Sequence, residues 1–156
     1  MDRVKTALFD ILRPELSGSR VLDLFAGSGA VGIEALSQGA AHCTFIDLER
    51  RAVETIRENL SATGLARQAE VRLADAFRFL KTCQDSFDLI YIAPPQYKNL
   101  WVEALHCVAE RPHLLSEEGR IIAQIDPLEA DDLELRELRE ADRRRYGNTL
   151  LVFYQR

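Results

Sequence analysis

Val21-Leu22-Asp23-Leu24-Phe25-Ala26-Gly27-Ser28-Gly29-Ala30-Val31-Gly32 is an apolar strand that enters a glycine turn and leaves it as a helix. Gly27, Gly29 and Gly32 have the G-x-G-x-x-G spacing of a nucleotide-cofactor cradle, and a carboxylate, Asp47, ends the next apolar run twenty residues after Gly27. Gly27 and Gly29 let backbone approach a ligand with no Cβ in the way, and the N-terminus of the following helix favours a carboxylate. Asp23 argues against a dinucleotide. It lies inside the strand, four residues ahead of the turn, where its charge opposes a pyrophosphate but accepts from an ammonium group. S-adenosylmethionine carries such an ammonium and no phosphate, so the stretch predicts that cofactor in place of NAD.

The remainder of the chain continues the alternation. Val4, Ala7, Leu8, Ile11 and Leu12 recur at helical spacing, and Pro14 is expected to stop that opening helix. The strand Arg20 to Phe25 is followed by a helix over Ala30 to Gln38 and a strand over His42 to Asp47. A helix over Glu49 to Thr63, a strand over Glu70 to Leu73 and a short helix over Ala76 to Thr82 come next. Phe87 to Ile92 is a fourth strand, Asn99 to Ala109 a helix and Arg120 to Ile125 a fifth strand. Continuous apolar strands separated by helices indicate a parallel sheet covered on both faces, an α/β fold. Arg139 to Tyr146 and Thr149 to Tyr154, joined by Gly147-Asn148, break the alternation and predict a hairpin that adds one antiparallel strand. A single domain over 1–156 is expected, with an opening helix at 1–13, a cofactor-binding core at 20–125 and the hairpin at 136–155.

Composition narrows the function classes. Hydrophobic residues are 47% and charged residues 29% of the 156, ordinary for a globular protein. No apolar run approaches the ~20 residues that span a bilayer, and Met1 to Lys5 lacks the apolar core of a secretory signal, so no membrane partner and a cytoplasmic location are expected. Cys43, Cys83 and Cys107 are too widely spaced for a disulfide framework or a zinc site, and His42, His106 and His113 show no ligand spacing, so no metal is expected. The net charge of −5 is uneven: Asp126 to Asp142 holds eight acids and two arginines, and Arg143-Arg144-Arg145 follows at once. That triplet is either a phosphate contact or a solvated strand edge.

In a doubly wound sheet, ligands bind beyond the carboxyl ends of the strands, where strand order reverses. Five features fall on that edge: the loop Phe25-Ala26-Gly27-Ser28-Gly29, then Asp47-Leu48, Asp75-Ala76, the segment Ala93-Pro94-Pro95-Gln96-Tyr97, and Asp126. Asp47 is placed to accept from both ribose hydroxyls, or else is a strand-end turn residue. Asp75 is placed to accept from an adenine amino group, or else caps the short helix that follows. Neither Pro94 nor Pro95 has an N–H, so the pair cannot continue a strand ladder and its carbonyls are left for the crevice. A carbonyl there would accept from an amino group undergoing methylation, and Tyr97 would offer a ring on which a flipped base stacks. The alternative is a plain turn that ends the fourth strand.

With these residues in view, the chain resembles the RsmD family, which methylates a guanine at its exocyclic nitrogen in small-subunit ribosomal RNA. The likeness runs from Asp2-Arg3-Val4-Lys5-Thr6-Ala7-Leu8-Phe9 through Val21 to Gly32 and on to Tyr146-Gly147-Asn148-Thr149, nearly the whole chain. Asp23 to Gly29 alone marks only a class I methyltransferase, whereas its combination with the opening helix and the hairpin is more specific. The resemblance implies a Rossmann-like, mostly parallel seven-stranded sheet and S-adenosylmethionine as methyl donor. It further implies cofactor contacts from Asp23, Gly27, Asp47 and Asp75, and ribosomal RNA or the small-subunit particle as partner. The family's basic arm and Arg-Pro-Thr run precede the first helix, and this sequence starts inside that helix. The site motif also departs: Ala93 stands where the family has the Asp or Asn of Asp/Asn-Pro-Pro-Tyr, with Gln96 at the Tyr position and Tyr97 one step later. Three readings follow, namely a guanine amino-methyltransferase in which Gln96 and Tyr97 serve as acceptor and stacking ring, a methyltransferase for another substrate, and a non-catalytic cofactor-binding or RNA-scaffold protein.

Overall fold

Asp2 caps the first helix, α1 (Arg3–Leu16), by accepting from the Val4 and Lys5 N–H groups at 2.9 and 3.3 Å. The structure, a computed structural model, describes residues 2–95 and 98–156. Pro14 does not end α1, contrary to the sequence expectation. It is exposed, so it forfeits one helical bond without a clash in the core, while Leu12 and Leu16, 4% and 1% exposed, hold the last turn down. Arg120 then pins this end of the helix, reaching Glu15 at 2.6 Å and lying over the Phe153 ring at 4.9 Å.

Strands β1 (Arg20–Leu24), β2 (His42–Asp47), β3 (Ala69–Leu73), β4 (Phe87–Ile92), β5 (Leu115–Ile125), β6 (Arg139–Tyr146) and β7 (Thr149–Gln155) form one sheet. Their order is β3-β2-β1-β4-β5-β7-β6. The first five run parallel, and β7 is antiparallel to both neighbours, as the Gly147-Asn148 turn predicts. The order reverses between β1 and β4, which sets a crevice at their carboxyl ends.

β5 begins five residues earlier than its sequence suggests. The expected strand opens at Arg120, yet Leu115 pairs with Phe87 and a register shift between Phe87 and Leu89 absorbs the extra residues. Asp88 braces this irregularity, accepting from the Arg20 N–H at 2.9 Å and the Ser116 hydroxyl at 2.8 Å.

Helices cover both faces. Helices α1, α2 (Ala30–Ser37) and α3 (Arg50–Thr63) pack on the face that carries Val21, Cys43, Phe45, Leu89, Tyr91, Ile122, Leu151 and Phe153. Helices α4 (Ala76–Thr82) and α5 (Leu100–Glu110) pack on the face of Leu22, Leu24, Ile46, Ile90, Ile92, Ile121 and Ala123. Period-two alternation along each strand thus fills two core layers.

The arginine triplet on β6 is held within the molecule. Arg143 meets Glu140 and Asp132 at 2.7 and 3.3 Å, Arg144 meets Asp142 at 2.8 Å, and Arg145 donates to the Gly147 carbonyl at 3.0 Å. These contacts favour the strand-edge reading over a phosphate site, because each cation already has an acceptor.

Candidate functional site

The loop after β1 is built from alternating left-handed residues. Phe25, Gly27 and Gly29 have φ of 62°, 59° and 79°. The two glycines adopt this conformation without strain, whereas Phe25 is held in it by its surroundings. Its ring meets Phe77 edge-on at 5.9 Å, and the neighbouring Ala26 N–H donates to the Ile46 carbonyl at 2.8 Å. Gly29 then starts α2, closing the turn with its N–H on the Ala26 carbonyl. Ser28 is exposed, and its carbonyl accepts from the Asn59 side chain at 3.3 Å. The sequence shows the glycines but not the Phe25 backbone or Phe77, since no residue pattern announces a left-handed phenylalanine.

Asp23 lies beneath this loop at 1% exposure. Its Oδ2 accepts from the Gly32 N–H of α2 at 3.1 Å, and its Oδ1 is buried with no partner among the described residues. Burial first, and then the charge of Asp47, push its carboxyl up to about 8, against the lowering effect of the Gly32 bond. A buried carboxyl oxygen without a donor is costly to the free protein, and a cationic donor would relieve it. The fit to an S-adenosylmethionine ammonium therefore rests on an orphaned atom as well as on the glycine spacing.

Asp47 fills the turn role that its sequence position left open. Its Oδ2 accepts from the Gly27 N–H at 2.8 Å and its Oδ1 from the Glu49 N–H at 2.9 Å, so it ties the end of β2 to the glycine turn. Each carboxylate oxygen keeps a further acceptor direction. Asp75 caps α4, accepting from the Arg78 N–H at 3.0 Å, with Ala76 buried behind it. A cleft of about 500 Å³ is lined by Leu48, Arg72, Leu73, Ala74, Asp75 and Arg78. Leu48 and Leu73 are 66% and 46% exposed, an apolar surface beside an acceptor.

Ala93, Pro94 and Pro95 leave the sheet directly after β4 and form no strand, as their sequence requires. Ala93 packs on the same face as Asp23 and Tyr91. Gln96 and Tyr97 lie outside the described residues. One feature here had no sequence signal: the Tyr91 hydroxyl, on β4 beside Asp23, donates to Gln124 Oε1 at 2.5 Å. Only the strand order brings those two residues together.

Comparison with known proteins now adds to this geometry. The profile of the family described as Conserved hypothetical protein 95 matches residues 1–155. This chain belongs to the RsmD family. Within it, the chain is 40% identical over 128 residues to YlbH of Bacillus subtilis, covering 80% of this chain and 69% of that one. It is 38% identical over 112 residues to ribosomal RNA small subunit methyltransferase D of Haemophilus influenzae, covering 70% of this chain and 58% of the relative. The Escherichia coli K12 protein of that name is 35% identical over 116 residues, covering 74% and 58%. The matched segment thus spans somewhat over half the length of these two RsmD relatives. Among solved structures, the Escherichia coli protein yhhF superposes with a TM-score of 0.91 at 29% identity, covering 100% of this chain and 87% of that one. The architecture is that of the class I methyltransferases, as the resemblance implied.

Among the described residues no helix is long and apolar enough to cross a membrane. No three His, Cys, Asp or Glu side chains among them are grouped to hold a metal ion. All three cysteines are buried and unpaired by disulfides.

Asp47→Ala should weaken S-adenosylmethionine binding by about 1–3 kcal/mol, the range for losing a hydrogen bond to a charged group. It also removes the acceptor for the Gly27 and Glu49 N–H groups, so the loop itself should loosen. Calorimetry on the variant checks this, and an unchanged dissociation constant would make Asp47 a turn residue only.

Proposed function

We propose that the chain is an S-adenosylmethionine-dependent methyltransferase acting on the exocyclic amino group of a guanine in small-subunit ribosomal RNA. The observation that carries the cofactor half is Asp23, a buried carboxyl with one orphaned oxygen under a glycine loop. The names of the Haemophilus and Escherichia coli relatives support the RNA half.

Bound S-adenosylmethionine would supply an electrophilic methyl group on a sulfonium. Asp23 would hold the ammonium, and Asp47 the ribose hydroxyls. Asp75 would accept from the adenine amino group, with Leu48 and Leu73 covering the ring; both leucines are exposed beside it. The backbone of Phe25, Ala26, Gly27, Ser28 and Gly29 would line the methionine end. Pro94 and Pro95 would turn their carbonyls to the target amino group, and Tyr97 would stack on the base.

Catalysis in this arrangement comes from positioning and from acceptors. A cysteine nucleophile does not fit. Burial pushes the Cys43, Cys83 and Cys107 thiols up from their ordinary values, so none is a thiolate near neutral pH.

The test is transfer of labelled methyl from S-adenosylmethionine to small-subunit particles and to free ribosomal RNA, followed by nucleoside analysis. Label on a guanine amino group is expected, with binding of S-adenosylmethionine and little of NAD by calorimetry. NAD binding without S-adenosylmethionine binding, or label on another class of acceptor, would overturn the reading.

Ala93 motivates a second reading, a non-catalytic cofactor-binding or scaffold protein. Under the leading one, Ala93→Asn should preserve or raise the transfer rate by restoring a side-chain acceptor, and Tyr97→Ala should cut it by roughly 10- to 100-fold through lost stacking. Wild-type protein that binds cofactor, transfers nothing and is switched on by Ala93→Asn would establish the scaffold reading instead.

A further inference from the structure

Tyr91 and Gln124 are a polar pair on an apolar sheet face, next to Ala93, where the family has the Asp or Asn of its motif. The register explains how they meet. Asp23 lies beside Tyr91 on β1 and β4, and Tyr91 lies beside Ile122 on β4 and β5. Ile92 pairs with Ala123, and the residues that follow them, Ala93 and Gln124, both lie on the face of Tyr91, Ala93 by its packing and Gln124 by its bond to the Tyr91 hydroxyl. That face thus carries a methyl group and a side-chain amide.

The hydrogen bond decides what that amide presents. Tyr91, 7% exposed, donates its hydroxyl proton to Gln124 Oε1 and fixes the orientation of the amide plane. Burial raises the Tyr91 hydroxyl well above its ordinary value, so it stays protonated and remains the donor. Gln124 Oε1 keeps one further lone-pair direction, and Nε2 makes no hydrogen bond among the described residues. Gln124 itself is half-buried at the carboxyl end of β5, on the rim of the crevice. One acceptor and one donor, side by side and held in a fixed plane, match the sugar edge of guanine, where the amino group donates and N3 accepts. Adenine lacks the amino donor at that edge.

We propose that Gln124, oriented by Tyr91, recognises the amino edge of the target guanine and takes the place of the acceptor that Ala93 lacks. This rests on the guanine amino-methyltransferase reading. Oε1 accepts one amino hydrogen and Nε2 donates to N3, both in the plane of the base, and the amino lone pair, perpendicular to that plane, is left free for the methyl donor. An alanine at position 93 is what lets the longer side chain on the neighbouring strand reach across. Gln124 is then a specificity-determining residue and Tyr91 a positioning residue.

The experiment measures single-turnover methyl transfer to small-subunit particles and, separately, S-adenosylmethionine affinity by calorimetry. Gln124→Leu retains apolar bulk, and Gln124→Ala guards against a packing effect of the leucine. Both should lower transfer by about 10- to 100-fold, the range for losing hydrogen bonds in a water-excluded site, with cofactor affinity unchanged. Ala93→Asn placed in Gln124→Leu should raise the rate by a larger factor than the same change in the wild type, because the two positions fill one role. A merely structural glutamine would not show that coupling. Transfer by Gln124→Leu at the wild-type rate, or equal factors from Ala93→Asn in both backgrounds, would overturn the inference while leaving the methyltransferase reading in place. Wild-type protein that binds S-adenosylmethionine but labels no guanine would overturn the methyltransferase reading, and the inference with it.

Discussion

Asp23→Asn is expected to weaken S-adenosylmethionine binding by about 10- to 100-fold, the loss for a hydrogen bond to a charged group, while raising the melting temperature of the free protein. The two effects share one cause. Asp23 is fully enclosed, bonded among the described residues only to the Gly32 N–H, and its carboxyl is raised to about 8 mainly by burial. The folded chain therefore holds this proton more firmly than the unfolded chain, whose ordinary value is 3.8. With that sign, the stability contributed by the group is full below pH 4 and is lost as pH rises through about 8. Asparagine never ionises, so its advantage should be small at pH 4 and largest above pH 8. A gain on the order of 2 kcal/mol would raise the melting temperature by about 4–8 °C in a chain of this size.

Cofactor affinity in the wild type should follow the opposite trend at first. The carboxyl must ionise to pair with an ammonium, so affinity rises with pH toward about 8, then falls as the ligand's α-amino group, near 7.7–8.0, loses its own proton. Thermal unfolding and calorimetry across pH 4 to 9 check both halves. A variant that binds the cofactor as well as wild type would show that the ammonium is held elsewhere.

Gly32→Ala should cost about 1–3 kcal/mol of stability, the range for overpacking a tight core. The added Cβ would stand 2.4 Å from Phe45 Cε2 and 2.7 Å from Cys43 Sγ. Phe45 and Cys43 are completely buried on β2, so neither can swing away, and α2 must shift instead. That shift moves the N–H that holds Asp23, and cofactor affinity should fall together with the melting temperature. Gly27→Ala provides the contrast. Nothing lies within 4 Å of its Cβ, but φ is +59°, so the cost is one left-handed alanine, roughly 1–2 kcal/mol. Equal melting temperatures for Gly32→Ala and the wild type would contradict the packing seen between α2 and β2.

The third glycine of the motif thus serves helix-to-strand packing, and the first serves the turn. Their spacing is visible in the sequence because each requirement is local: a backbone angle at Gly27, a missing side chain where α2 crosses β2 at Gly32. The same locality made most strands, the hairpin and the Asp75 cap legible, since capping and period-two burial depend on neighbours a few residues away. Pro14 and the start of β5 were misread for the converse reason. A proline is tolerated in α1 because Leu16 is pulled onto a core assembled from the sheet, and Ser116 to Gly119 are drawn into a strand by pairing with Phe87.

By itself, then, the sequence determined the alternating α/β order, the glycine loop, the carboxylates at the strand ends and the proline pair. These are features of residue type and short spacing. Only the tertiary structure decided that one Asp23 oxygen has no partner among the described residues, that Asp47 is bonded to the glycine turn it faces, and that Arg143 and Arg144 are held by the acidic residues before them. It alone placed Gln124 against Tyr91, on strands that meet because β4 inserts between β1 and β5. Burial, orphaned atoms and cross-strand neighbours depend on which distant segments share a layer, and that is settled by how the whole sheet packs against its helices.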